Sequence, residues 1–228
     1  SMLKLILTAF SFSIISLAFS QTGISPNVLQ SPFQGQQFTA KADNDVEGNP
    51  MVFDNWKKGE VSLKDGERYP IEKINLDAQR HIFLYVVNDS IYEFGDNVRE
   101  VKIYDNSNAD NPNSVLVFRN NIDPQSDNFV ELLDTGKITI FQTYEKNPEG
   151  ENYSNGIVNN TRKYTLHTAQ FALINKVATP IKFNSSTLED LTSDKKKEVE
   201  AFVKENKLKL KKESDFLKAI DYYNNSGS

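Results

Sequence analysis

Residues 59–104, GEVSLKDGERYPIEKINLDAQRHIFLYVVNDSIYEFGDNVREVKIY, decide the fold class. Val61 and Leu63 alternate with polar neighbours, the period of a half-buried strand. Asp65-Gly66 marks a tight turn, because this pair favours the positive φ that short hairpins need. Tyr69, Ile71, Ile74 and Leu76 follow, and residues 81–87 form a nearly continuous run of β-forming side chains. Asn88-Asp89 turns the chain, Gly95-Asp96-Asn97 turns it again, and Val98, Val101, Ile103 and Tyr104 make a further strand. Short strands joined by tight turns predict an antiparallel meander in which sequence neighbours pair.

The pattern continues C-terminally. Residues 115–118 read as a strand, and residues 129–133 as a strand or short helix. In residues 137–144, Ile138, Ile140 and Gln142 share one face, and Thr139, Phe141 and Thr143 share the other. Residues 162–166 and 170–175 read as two more strands, and residues 180–183 end the sheet region. Polar loops separate these elements at residues 105–114, 120–128 and 147–160.

From Asn184 the period becomes helical. Ser186-x-x-Glu189 matches a capping box ahead of Leu188 and Leu191, and Ser193 suits a second N-cap. Val199, Phe202 and Val203, then Phe216, Leu217, Ile220 and Tyr223, predict two short helices packing on the sheet. The last five residues, Asn-Asn-Ser-Gly-Ser, are expected to be unstructured. The fold class is therefore mainly β within α+β: an antiparallel β-meander sandwich or incomplete barrel with a C-terminal helical pair. Residues 51–184 form the β domain, residues 185–225 the helices, and residues 21–50 an extended lead-in.

Residues 1–20 read as a signal peptide. Lys4 precedes an apolar run over residues 5–15, and Ala18-Phe19-Ser20 places small residues where a signal peptidase cuts. The run is too short and too rich in Ser and Thr for a span of ~20 residues. The expectation is an exported protein, in the periplasm, at the outer-membrane periphery or secreted, with no transmembrane span in the mature chain. Loss of Lys4 takes the formal net charge from −5 to −6. A mildly acidic chain lacks the field that nucleic acid or an anionic membrane requires. The chain has no cysteine, which excludes disulfides, a lipidated cysteine, thiolate metal sites and a cysteine nucleophile.

Several stretches resemble a family. Gly59-x-Val61-x-Leu63-x-Asp65-Gly66, the Tyr69/Ile71 strand, Val98-x-x-Val101, the segment 180–184, residues 194–197, Asn206-Lys-Leu208 and Asp221-Tyr-Tyr-Asn224 are similar to uncharacterised exported proteins of Bacteroidota. The resemblance covers most of residues 50–225. It implies compartment and fold and carries no activity.

The candidate chemistry is sparse. Asp105 and Asp110 offer oxygen ligands to calcium, but no central Gly or closing Glu completes a calcium loop. His81 and His167 are the only imidazoles, each inside a strand pattern. No G-x-S-x-G elbow supports a serine hydrolase, and no cofactor motif is present. Trp56, with Tyr69, Tyr85, Tyr92, Tyr104 and Tyr144, could stack a sugar or fill the core. The candidate contact surface comprises Trp56, Tyr92, Tyr104, Asn108, Asn113, Asn152 and Tyr153, on aromatics and long loops. These features point to a non-enzymatic interaction protein of the bacterial envelope with a protein partner, such as an accessory subunit of an outer-membrane assembly. The alternatives are a carbohydrate-binding module and a hydrolase whose site the fold assembles.

Overall fold

The hairpin chemistry of residues 59–104 produces four tight connections in the computed structural model, which describes residues 32–33, 35–39, 46–105, 114–150 and 162–226. Strands β2 (Lys57–Leu63) and β3 (Arg68–Asp77) are joined through Gly66, at φ 97°, where glycine carries no Cβ penalty. Strands β4 (Ile82–Val87) and β5 (Ser90–Glu93) are joined by Asn88 and Asp89, both at positive φ, as a two-residue hairpin turn requires. Strand β6 (Val98–Asp105) then departs from the expected order. It pairs with β2, not with β5. The reason is that β5 is already flanked: Gln36 O accepts from Glu93 N, and Phe38 N donates to Ile91 O.

The other strands are β1 (Val46–Glu47), β7 (Ser114–Arg119), β8 (Val130–Asp134), β9 (Thr139–Glu149), β10 (Arg162–Ile174) and β11 (Val177–Ile181). All belong to one sheet in the order β1-β10-β9-β8-β7-β6-β2-β3-β4-β5, with β11 also on β10. Every pairing is antiparallel except β1 with β10. Of the segment read as strand or short helix, residues 130–133 are strand, within β8, and the two strands expected within residues 162–175 are one. The sheet is mixed and not closed, but it curls. Lys146 Nζ on β9 donates to Met51 O at 2.6 Å, and Tyr164 OH on β10 lies 3.2 Å from Gln79 Oε1 beyond β3.

Cross-strand register defines the inner face. Tyr69, Val61, Val101, Phe118, Glu131, Gln142, Gln170 and Ile181 form one continuous row from β3 to β11. Over β2 to β7 this face is apolar and packs Val61, Ile74, Phe83, Tyr85, Val101 and Phe118. The lead-in segment contributes its plug. Phe33 is buried and meets Tyr69, Tyr85 and Phe94 edge-on at 5.2–5.3 Å. Gly35 permits this approach, since a Cβ there would stand 2.2 Å from Glu93 O.

Over β8 to β11 the same face is covered by helices. These are α1 (Ser185–Leu191), a 3-10 turn (Ser193–Lys195), α2 (Lys196–Glu205) and α3 (Glu213–Asn225). Phe216, Ala219, Ile220 and Tyr223, at i, i+3, i+4 and i+7, bury one stripe of α3 against Ile138, Ile140 and Ala172. Three details correct the sequence reading. Asn184 caps α1 by accepting from Thr187 N at 2.9 Å, so Ser186 lies inside the helix. Ser193 opens the 3-10 turn and does not cap α2. The end of the chain is structured through Ser226. Asn224 accepts from Ile138 N and donates to Ile138 O, both at 2.9 Å, and Gly136 leaves room for its side chain. A neighbouring tie joins Lys137, Asp194 and Tyr223: Asp194 takes Lys137 Nζ at 2.7 Å and Tyr223 OH at 2.9 Å.

Among the described residues, no helix is long and apolar enough to cross a membrane. The leader at residues 1–20 lies outside the described residues.

Candidate functional site

Two features of the sheet carry polar chemistry away from the turns. The first is the polar part of the inner row. Glu131 on β8 sits between the two apolar clusters and is 6% exposed. Phe118 on β7 and Gln142 on β9 are its direct cross-strand neighbours. The hydrogen bonds run in one direction. Gln170 Nε2 donates to Gln142 Oε1 at 2.6 Å, and Gln142 Nε2 donates to Tyr144 OH at 2.9 Å. Tyr144 OH donates in turn to Glu131 Oε2, which Gln142 Nε2 also approaches at 3.4 Å.

Burial pushes the Glu131 carboxyl up to about 7. The Tyr144 bond opposes that rise, and the charges of Glu213 and Asp105 add to it. Burial and the facing carboxylate also raise Tyr144. Chemically, this is a carboxyl that changes charge near neutrality inside a packed face. Asp134, at the far end of β8, is likewise raised by burial to about 6. Asp134 Oδ2 is buried without a hydrogen-bond partner. Among the described residues, no group of three or more His, Cys, Asp or Glu side chains is arranged to hold a metal.

The second feature is the edge of β10. Its outer side pairs with β1 at Arg162 and Lys163 and with β11 from Gln170 to Ile174. Among the described residues, nothing pairs with residues 164–169 on that side. The segment reads Tyr-Thr-Leu-His-Thr-Ala, and Leu166 is 39% exposed. Natural sheets blunt free edges with Lys, Pro, bulges or a covering segment. Here the β5 edge is covered by residues 36–38, and β11 is short and contains Pro180. Residues 164–169 contain no Lys or Pro and keep an unbroken register with β9, and among the described residues no strand pairs over them.

The sequence-derived candidates are scattered. Tyr69, Tyr85 and Tyr92 belong to the inner apolar cluster, and Tyr85 stacks on Phe94 at 4.5 Å. Tyr104 is 41% exposed on the outer face, opposite Lys58 and Val115. Trp56 is half-buried just before β2. These aromatics therefore form no single exposed platform. Asp105 pairs with Lys57 at 2.8 Å. Asn108, Asp110, Asn113, Asn152 and Tyr153 lie outside the described residues.

Of the two histidines, His167 lies in a strand as expected and His81 does not. His81 occupies a turn at φ 58°, where the Asp77–Arg80 segment reverses the chain, so the strand begins only at Ile82. His167 is in β10, with Nε2 2.6 Å from Glu149 Oε1. The loop expected over residues 147–160 begins later, because β9 extends to Glu149.

Sequence reasoning passed over Glu131, Gln142 and Gln170 as site residues. Gln142 on the same face as Ile138 and Ile140 was the one legible sign, a polar side chain on an apolar stripe. The unfilled edge had no sequence sign, since it depends on where β1 and β11 dock. Comparison with protein-family models, with curated proteins and with solved structures returned no match.

Proposed function

We propose that this chain is an exported, non-enzymatic interaction protein of the bacterial envelope, related to the Bacteroidota proteins it resembles, and that it holds a protein partner through the edge of β10. The observation that carries the reading is that, among the described residues, no strand pairs with residues 164–169 on their outer side, in a sheet whose β5 edge is covered. An uncovered edge of high β propensity is a hazard for a protein alone and a docking place for one with a partner. The leader-like start supports the compartment.

The test is photo-crosslinking in a Bacteroidota host, with a photoreactive residue in place of Thr165 and, separately, of Tyr104. A discrete adduct from an envelope fraction, together with a mature N-terminus at Gln21 by mass spectrometry, is the expected result. Adducts from neither position, or a cytosolic chain with its leader intact, would overturn the reading, and an adduct from Tyr104 alone would overturn its β10 contact.

A further inference from the structure

We infer that residues 164–169 form a notch for a single extended peptide segment that places apolar side chains on the inner face and basic ones on the outer face. This rests on the interaction reading above and adds the chemistry of the partner.

The length of the gap argues against a second copy. β1 and β11 occupy the lane next to β10, on either side of residues 164–169. Gly48, the residue after β1, already stands against Tyr164, since a Cβ there would be 3.9 Å from Tyr164 Cβ. At ~3.4 Å per residue the open part, residues 165–169, is about 17 Å long. A second β10 has 13 residues and would run into β1 and β11 in that lane. A free segment with about five paired residues fits, and its ends can turn away.

Side-chain chemistry then selects the segment. Tyr164, Leu166 and Thr168 point to the inner face, level with Pro148, Lys146 and Tyr144 of β9. Lys146 is engaged by Met51 O, which leaves Leu166 as the apolar contact. Thr165, His167 and Ala169 point to the outer face. Beside them stand Asn147, Glu145 and Glu149 of β9, with Glu47 of β1 at the end. Glu47, Glu145 and Glu149 against Lys163 give that face a formal charge of −2 with His167 neutral. Lys163 lies 3.8 Å from Glu47. Glu149 Oε1 meets His167 Nε2 at 2.6 Å and Glu145 Oε1 accepts from Asn147 Nδ2 at 2.5 Å, so each of these two carboxylates keeps its second oxygen for a cation in the notch. A strand with Lys or Arg at alternate positions complements them.

The probe is a capped eight-residue peptide alternating Val and Lys, compared with a Val/Glu peptide and with a Val/Lys peptide N-methylated at alternate residues. Amide hydrogen exchange of the whole chain is the readout. The Val/Lys peptide should slow alternate amides within residues 164–169 at least tenfold, and bind at least fivefold more tightly than the Val/Glu peptide. The N-methylated peptide should do neither. In the Glu145→Lys, Glu149→Lys double variant the preference should reverse. Protection elsewhere, equal binding of the N-methylated peptide, or no charge preference would overturn the proposal. So would self-association through β10. A crosslinked envelope partner reached only from Tyr104 would sink this inference and the proposed edge contact but leave a partner-binding role standing.

Discussion

At the scale of the residue, Glu131 is the side chain whose surroundings say most. Folding buries it among Phe118, Gln142 and Tyr144 and favours its neutral form. A carboxyl raised from its ordinary 4.5 to about 7 binds its proton more tightly in the folded state. Stability from this group is therefore fully present below pH 4.5 and falls as pH rises toward 7. The loss is on the order of 3 kcal/mol at most. Glu131→Gln keeps an acceptor for Tyr144 and removes the charge. Urea unfolding at pH 5 and pH 8 should show the variant gaining stability over wild type at pH 8 and not at pH 5. A wild-type excess at pH 8 would mean that the ionised carboxylate is the stabilising form. Phe33 is the second decisive residue. It closes the inner cluster through three edge-on aromatic contacts, so Phe33→Ala should cost about 3–5 kcal/mol by the same assay. Its role was hidden in the sequence, because a lone Phe in a polar, aperiodic lead-in carries no period to read.

At the scale of the element, hairpins were legible and caps were not. Asp65-Gly66 and Asn88-Asp89 dictate turns by local φ preference alone, and both turns are present. A cap is harder to read, because Asn184, Ser186 and Ser193 all have suitable side chains and tertiary packing selects among them. The structure selects Asn184. Asn184→Ala should lower stability by about 1 kcal/mol, while Ser186→Ala and Ser193→Ala should change it by less than ~0.5 kcal/mol. Thermal unfolding of the three variants decides the matter, and a larger loss at Ser186 would restore the capping-box reading. The same logic explains the C-terminus. Asn224 looks like the start of a frayed tail until Ile138 supplies backbone partners 86 positions away in sequence.

At the scale of the whole molecule, the β class, the hairpin rhythm and the helical end were all readable, since each follows from a short-range period. The order of strands was not. β6 returns to β2 because residues 36–38 already flank β5, and β1 and β11 meet β10 from opposite ends. Those are contacts between distant segments, and they also create the gap on β10. The account therefore turns on whether that gap is open in the free protein. Native-state amide hydrogen exchange measured residue by residue tests it most directly. Alternate amides within residues 164–169 should exchange at least a hundredfold faster than those of residues 170–174, which β11 protects, while Glu93 and Phe38 stay slow at the covered edge. Uniform strong protection across residues 164–169 in the protein alone would mean that the chain fills its own edge, and would contradict the account.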